Sequence, residues 1–162
     1  MKKQRILLGA LVFAVGLIVG ALAVVGYFGH YVRNTLRYSL LEHRADWEHR
    51  AFQAYSQESP QVAIWALENL ADVLRKQAEV LEEDRALIRG DLLLTYARLA
   101  IVSQAAKDSP RYQENMSKAL ALEKELSPDS PNTKEHLLNL VKKLDESAGN
   151  NVSVEQRGQP LK

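Results

Sequence analysis

From Ile6 to Phe28 the chain reads ILLGALVFAVGLIVGALAVVGYF, without one charged or strongly polar side chain. As a helix this run covers about 35 Å, at about 1.5 Å per residue, enough to cross a hydrocarbon core of about 30 Å. Lipid offers the backbone no hydrogen-bond partner, so helix is the form expected. Tyr27 and Tyr31 fall where interfacial aromatics anchor a span. Ala21-Leu22-Ala23 also has the small-x-small form of a signal-peptide cleavage site. The apolar run continues past Ala23, however, whereas a cleaved apolar region ends after about 7–15 residues. A retained signal anchor at residues 6–28 is therefore expected, preceded by a basic tail at residues 1–5.

The charges orient this anchor. The formal charge of +1 comes from 21 Lys+Arg against 20 Asp+Glu. Lys2, Lys3 and Arg5 crowd the N-terminal flank, whereas Arg33 and Arg37 are spread along the other. The positive-inside rule then predicts a cytoplasmic N-terminus and an extracytoplasmic C-terminal domain, on the periplasmic side of a bacterial inner membrane. Without those three bases the chain is slightly acidic, which argues against nucleic acid as a partner, since that needs a basic stripe. The absence of cysteine excludes disulfides, cysteine-ligated metals, a thiol nucleophile and a lipidated cysteine. Within the span, Gly9, Gly16, Gly20 and Ala23 share one helical face and include a GxxxG, a possible packing seam for a second transmembrane helix.

Beyond the span the pattern is helical throughout, with no alternating strand. A juxtamembrane helix is expected within residues 29–58, and a helical bundle within 59–145. Ser-Pro recurs at Ser59-Pro60, Ser109-Pro110, Ser127-Pro128 and Ser130-Pro131. Serine is a good N-cap and proline suits the first helical position, so Ser59, Ser109 and one of the last two are expected to open helices. Ala63, Leu67, Leu70, Leu74, Ala78 and Leu81 form one apolar stripe on a helix beginning at Pro60. Asp84 is placed to cap the next helix. That helix, about 85–107, carries two stripes: Ile88, Leu92, Leu99 and Val102, then Leu94, Ala97, Ile101 and Ala105. Two apolar faces require two neighbours, so it is predicted to be the buried centre. Gly90 inside it implies a close packing contact or a late helix start. Tyr112, Met116, Ala119, Leu122 and Leu126 mark a fourth helix; Leu137, Leu140, Val141 and Leu144 mark a short fifth. Residues 146–162 lack any apolar period and read as a disordered tail. The fold class is thus all-α: one transmembrane helix followed by a small antiparallel bundle, because short loops set sequential helices antiparallel.

At about residues 91–128 a family resemblance emerges. Tyr96, Leu99, Ala100 and Ser103 stand at the first-helix spacing of a tetratricopeptide repeat (TPR), and Tyr112 and Met116 at its second-helix spacing, with Asp108 at the turn. YQENMSKALALEKELSP resembles a second repeat helix with its closing proline. Ser103 replaces the pattern's tyrosine, Tyr112 its small alanine, and Pro128 comes one turn late. The resemblance implies a TPR-like, superhelical protein-binding module whose first helices line a concave face. A plain antiparallel bundle is the alternative, because fewer than three clear repeats are visible.

Chemistry is sparse. In EHRADWEHR, at 42–50, His43 or His49 could share a metal with Asp46, but His43 and His49 point about 120° apart on a helix. Arg33, Arg37, Arg44 and Arg50 on that segment are candidates for lipid phosphates. Glu82/Glu83 and Glu123/Glu125 read as surface carboxylates. No catalytic or phosphate-cradling motif occurs, so neither a cofactor nor a metal nor an enzyme activity is expected. The expected function is a membrane-anchored adaptor or accessory subunit that binds other membrane or extracytoplasmic proteins. Trp47, Trp65, Tyr96 and Tyr112 are the candidates to line a partner groove, with Trp65 and Tyr96 expected to be partly core. The alternative is a structural protein that oligomerises with itself through the glycine face and the Ala63–Leu81 stripe.

Overall fold

The computed structural model describes the backbone of residues 2–147 and the side chains of residues 16–147. The expected tail therefore lies outside the described residues from 148 onward, and Gly9 lies outside the described side chains. The described residues form five helices: α1 (Lys2–Gln57), α2 (Pro60–Val80), α3 (Arg85–Ala105), α4 (Ser109–Leu126) and α5 (Lys134–Ser147). No strand occurs among the described residues. The chain forms two compact units, residues 1–41 and residues 42–162.

The first unit is helix alone. No proline precedes Pro60, so nothing in the covalent chain interrupts α1. Every described side chain from Gly16 to Phe28 is exposed. A Cβ added at Gly16 or Gly20 would meet nothing within 4 Å. The helix is long and apolar enough to cross a membrane, by length and composition. Toward residue 41 polar side chains fold back onto their own helix: Asn34 Nδ2 lies 3.0 Å from His30 Nε2. Thr35 Oγ1 donates to the Tyr31 carbonyl at 2.9 Å.

The second unit contains the end of α1 and all of α2–α5. Its centre is α3, which packs against α2, α4 and α5. Both apolar stripes of α3 are used: Ile88, Leu92, Leu99, Val102 and Ala97 are buried, and Leu94 and Ile101 are partly buried against the core. From α2, Ala63, Leu67, Leu70 and Leu74 are buried, while Ala78 and Leu81 pack at the edge. Met116 and Ala119 of α4 and Leu137 and Val141 of α5 complete the core, with Ala51, Ala54 and Tyr55 from the end of α1. The repeat-spaced residues Tyr96, Leu99, Ala100, Ser103 and Met116 are all buried.

The helix ends follow the expected chemistry only in part. Ser59 caps α2, its hydroxyl accepting from the Val62 amide at 3.5 Å, with Pro60 in the first turn. At α4 the cap is Asp108, which accepts from the Arg111 amide at 3.1 Å, and Ser109 is already helical. A carboxylate one residue earlier reaches the orphan amide and adds charge complementary to the helix N-terminus. At α5 neither Ser127 nor Ser130 opens the helix. Thr133 does, its Oγ1 accepting from the His136 amide at 3.2 Å while its carbonyl receives the Leu137 amide. Ser130 is drawn elsewhere, donating to Glu123 Oε1 at 2.6 Å. Asp84 holds the N-cap position of α3 but makes no capping side-chain bond; its φ of −100° and ψ of 2° depart from the extended backbone that N-capping uses.

Gly90 satisfies neither expectation placed on it. The helix begins at Arg85, five residues earlier, and a Cβ at Gly90 would meet nothing within 4 Å. Glu123 also departs from its surface reading. It is 4% exposed, sharing the phase of Met116 and Ala119 on α4, whereas Glu125 is exposed and pairs with Arg89 of α3. Finally, α5 continues to Ser147, and Asp145, at the edge of the expected tail, is buried.

Candidate functional site

Polar residues of α3 generate the site. Asp91, Thr95 and Arg98 are spaced four and three apart, so they share one face of a helix otherwise surrounded by apolar neighbours. That face borders a cleft of about 240 Å³. Arg44, Glu48, Ala51 and Phe52 from α1, Leu67, Leu70 and Leu74 from α2 and Leu144 from α5 complete its lining, with Ala51 and the three α2 leucines buried.

Three ion pairs, centred on two arginines, organise this lining. Arg98 donates from Nε (3.1 Å) and Nη2 (2.7 Å) to Asp145 Oδ1, with both side chains under 10% exposed. The guanidinium also lies over the Phe52 ring, 4.5 Å from its centroid, which gives the buried charge a second favourable contact. Arg44 stands between two carboxylates, donating from Nε to Glu48 Oε1 at 2.6 Å and from Nη2 to Asp91 Oδ2. Burial raises the Asp91 carboxyl above its ordinary value; Arg44 opposes that rise and Glu48 adds to it. Thr95 closes its own account locally, its hydroxyl donating to the Asp91 carbonyl at 2.8 Å. Arg44 is thereby committed within the domain and is not free for lipid phosphate, because a guanidinium at 13% side-chain exposure is already bonded twice.

The aromatic candidates do not assemble into one groove. Trp47 and Trp65 meet, their ring centroids 5.8 Å apart and the planes tilted by 59°. Trp65 is 59% exposed and so lies outside the core, because its position on α2 falls opposite the Leu67–Leu70–Leu74 stripe. Arg50 adds a cationic cover to Trp47, 5.7 Å from its ring. Tyr96 is buried, with Lys118 Nζ 5.3 Å from its ring. Tyr112 is partly buried and faces Lys134. None of these four lines the cleft. Among the described residues no cluster of three or more histidine or acidic side chains is arranged to hold a metal ion. Gly16, Gly20 and Ala23 are exposed on α1.

The residues that build the cleft were not singled out by motif. Arg98 was nevertheless visible as a charge lying in the phase of Leu94, Ile101 and Ala105, and Asp145 as one in the phase of Leu137 and Val141. Known protein families, curated proteins and solved structures yield no match to this chain.

Proposed function

We propose that this chain is a single-pass membrane protein, with its N-terminus in the cytoplasm, that displays a TPR-like domain outside it. That domain binds other proteins as an adaptor or accessory subunit of a membrane complex. The observation carrying this reading is the lining of the cleft. Its lining comes from α1, α3 and α5, the alternate helices, and from three buried leucines of α2. The repeat resemblance implies first helices facing a partner, and α1, α3 and α5 are the helices of that alternate set. The exposed Trp47–Trp65 pair offers an additional aromatic contact.

The test is photocrosslinking in intact membranes from Leu94 or Leu144, with exposed Lys124 of α4 as the control position. A distinct protein captured from the two cleft positions and not from the control supports the adaptor. Crosslinks only to a second copy of this chain overturn it in favour of the structural reading. One observation favours that second reading: the open glycine face of α1, where nothing approaches Gly16 or Gly20. Gly16→Ile and Gly20→Ile would then abolish self-association in mild detergent.

A further inference from the structure

Two bases and two acids line the cleft, Arg44 and Arg98 against Glu48 and Asp91, but one of the bases is engaged by a third acid outside the lining. Arg98 is matched by Asp145, which takes both of its described donors on a single oxygen. Arg44 is the one base set against two acids, Glu48 and Asp91. The five groups thus comprise two bases and three acids, with the surplus negative charge on the Arg44 side. The two carboxylates there are each 33% exposed on their side chains, so they remain open to an incoming group, whereas Asp145 is closed at 7%. Beside them the surface is apolar: Phe52 and Leu94 are half-buried and Leu144 is 38% exposed.

We propose that the cleft takes a basic side chain, lysine or arginine, from a partner segment, and seats flanking apolar residues against Phe52, Leu94 and Leu144. This rests on the protein-binding reading above and names the chemistry of the partner. A cation entering between Glu48 and Asp91 completes an alternating arrangement of two bases and two acids. An acidic segment would meet surplus negative charge, and the two guanidiniums in the lining, Arg44 and Arg98, are already engaged. The Asp91 carboxyl is also displaced upward, first by burial and then by Glu48, against the opposing pull of Arg44 and Arg98. A partly desolvated charge pair of this kind fixes register and discriminates partners by charge.

The experiment is selection of a displayed library of random dodecapeptides on the full chain in nanodiscs, with Leu94→Trp as the counter-selected protein because indole fills the cleft. Selected peptides should carry a lysine or arginine between apolar residues. They should bind roughly tenfold more weakly to Asp91→Asn and to Glu48→Gln, each first shown to melt like the parent. Replacing the peptide's base with norleucine should produce a similar loss. Cleft-dependent peptides lacking a base, or binding unchanged in both variants, overturn the cation inference and leave the docking reading standing. No cleft-dependent peptide at all overturns both.

Discussion

Asp145→Ala isolates the most consequential contact in the helical domain. The variant leaves the Arg98 guanidinium 8% exposed with its carboxylate partner removed. Breaking a buried pair from one side costs about 3–5 kcal/mol, because the remaining charge is left uncompensated. The Phe52 ring at 4.5 Å stays in place and the cleft admits water beside Arg98, which favours the lower end, about 3 kcal/mol. For a domain of this size that corresponds to a fall in Tm on the order of 10–15 °C. The assay is thermal unfolding of the full chain in detergent, followed by tryptophan emission. The only two tryptophans, Trp47 and Trp65, lie in residues 42–162, so the signal excludes the apolar part of α1. Replacing both partners, Arg98→Met with Asp145→Leu, should recover most of the loss, since a well-packed apolar pair carries no desolvation penalty. A loss below about 1 kcal/mol for Asp145→Ala, the level of an exposed pair, would refute the reasoning. So would a double variant no more stable than the single one.

Three further outcomes are expected from the same melts. Gly90→Ala should stabilise by about 0.5–1 kcal/mol, because the position is helical and a methyl there meets open space; destabilisation would reveal a contact absent from the structure. Thr133→Ala and Asp108→Ala should each cost about 1 kcal/mol through loss of a cap, whereas Ser109→Ala should change little. Around Asp91 the sign of the pH dependence is fixed by its raised folded value: the folded state holds that proton more tightly than the unfolded chain. Its contribution to stability is therefore full below the ordinary carboxylate value of 3.8 and declines as pH rises through the folded value. Asp91→Asn should remove that downward component from a pH titration of stability.

The helices were legible because their stripes are regular. Leu67, Leu70 and Leu74 on α2, and the paired stripes that make α3 central, needed only the 3.6-residue period. The ends were less legible, because several capping residues stand close together and only the turn geometry chooses among them. In SPDSPNT the serines carry the stronger sequence signal, yet Thr133 wins because the chain re-enters helix at Lys134, after Asn132 takes a left-handed φ of 47°. Gly90 read as meaningful because glycine is costly within a helix, and the structure supplies no packing reason for it.

The charged residues show where a period stops being sufficient. Arg98, Glu123 and Asp145 each fall in phase with an apolar stripe of their own helix, and each is buried. Reading Glu123 as surface charge treated charge as stronger evidence than phase, and the structure reverses that order. A charge in phase with a stripe is carried inward by its neighbours, so it requires a partner or leaves the fold destabilised. What the period cannot identify is that partner. Arg98 finds Asp145 across 47 residues of sequence, and Arg44 finds Asp91 across the same separation, so both pairings depend on the packing of helices that the stripes only bring together. Glu123 is the instructive exception, reached from the adjoining turn: Oε1 accepts from Ser130 and is approached by His136 at 3.3 Å, while Oε2 is buried without a hydrogen-bond partner. The cleft therefore lies where two long-range pairings converge on α3, and its chemistry depends on tertiary structure in a way that the surrounding helices do not.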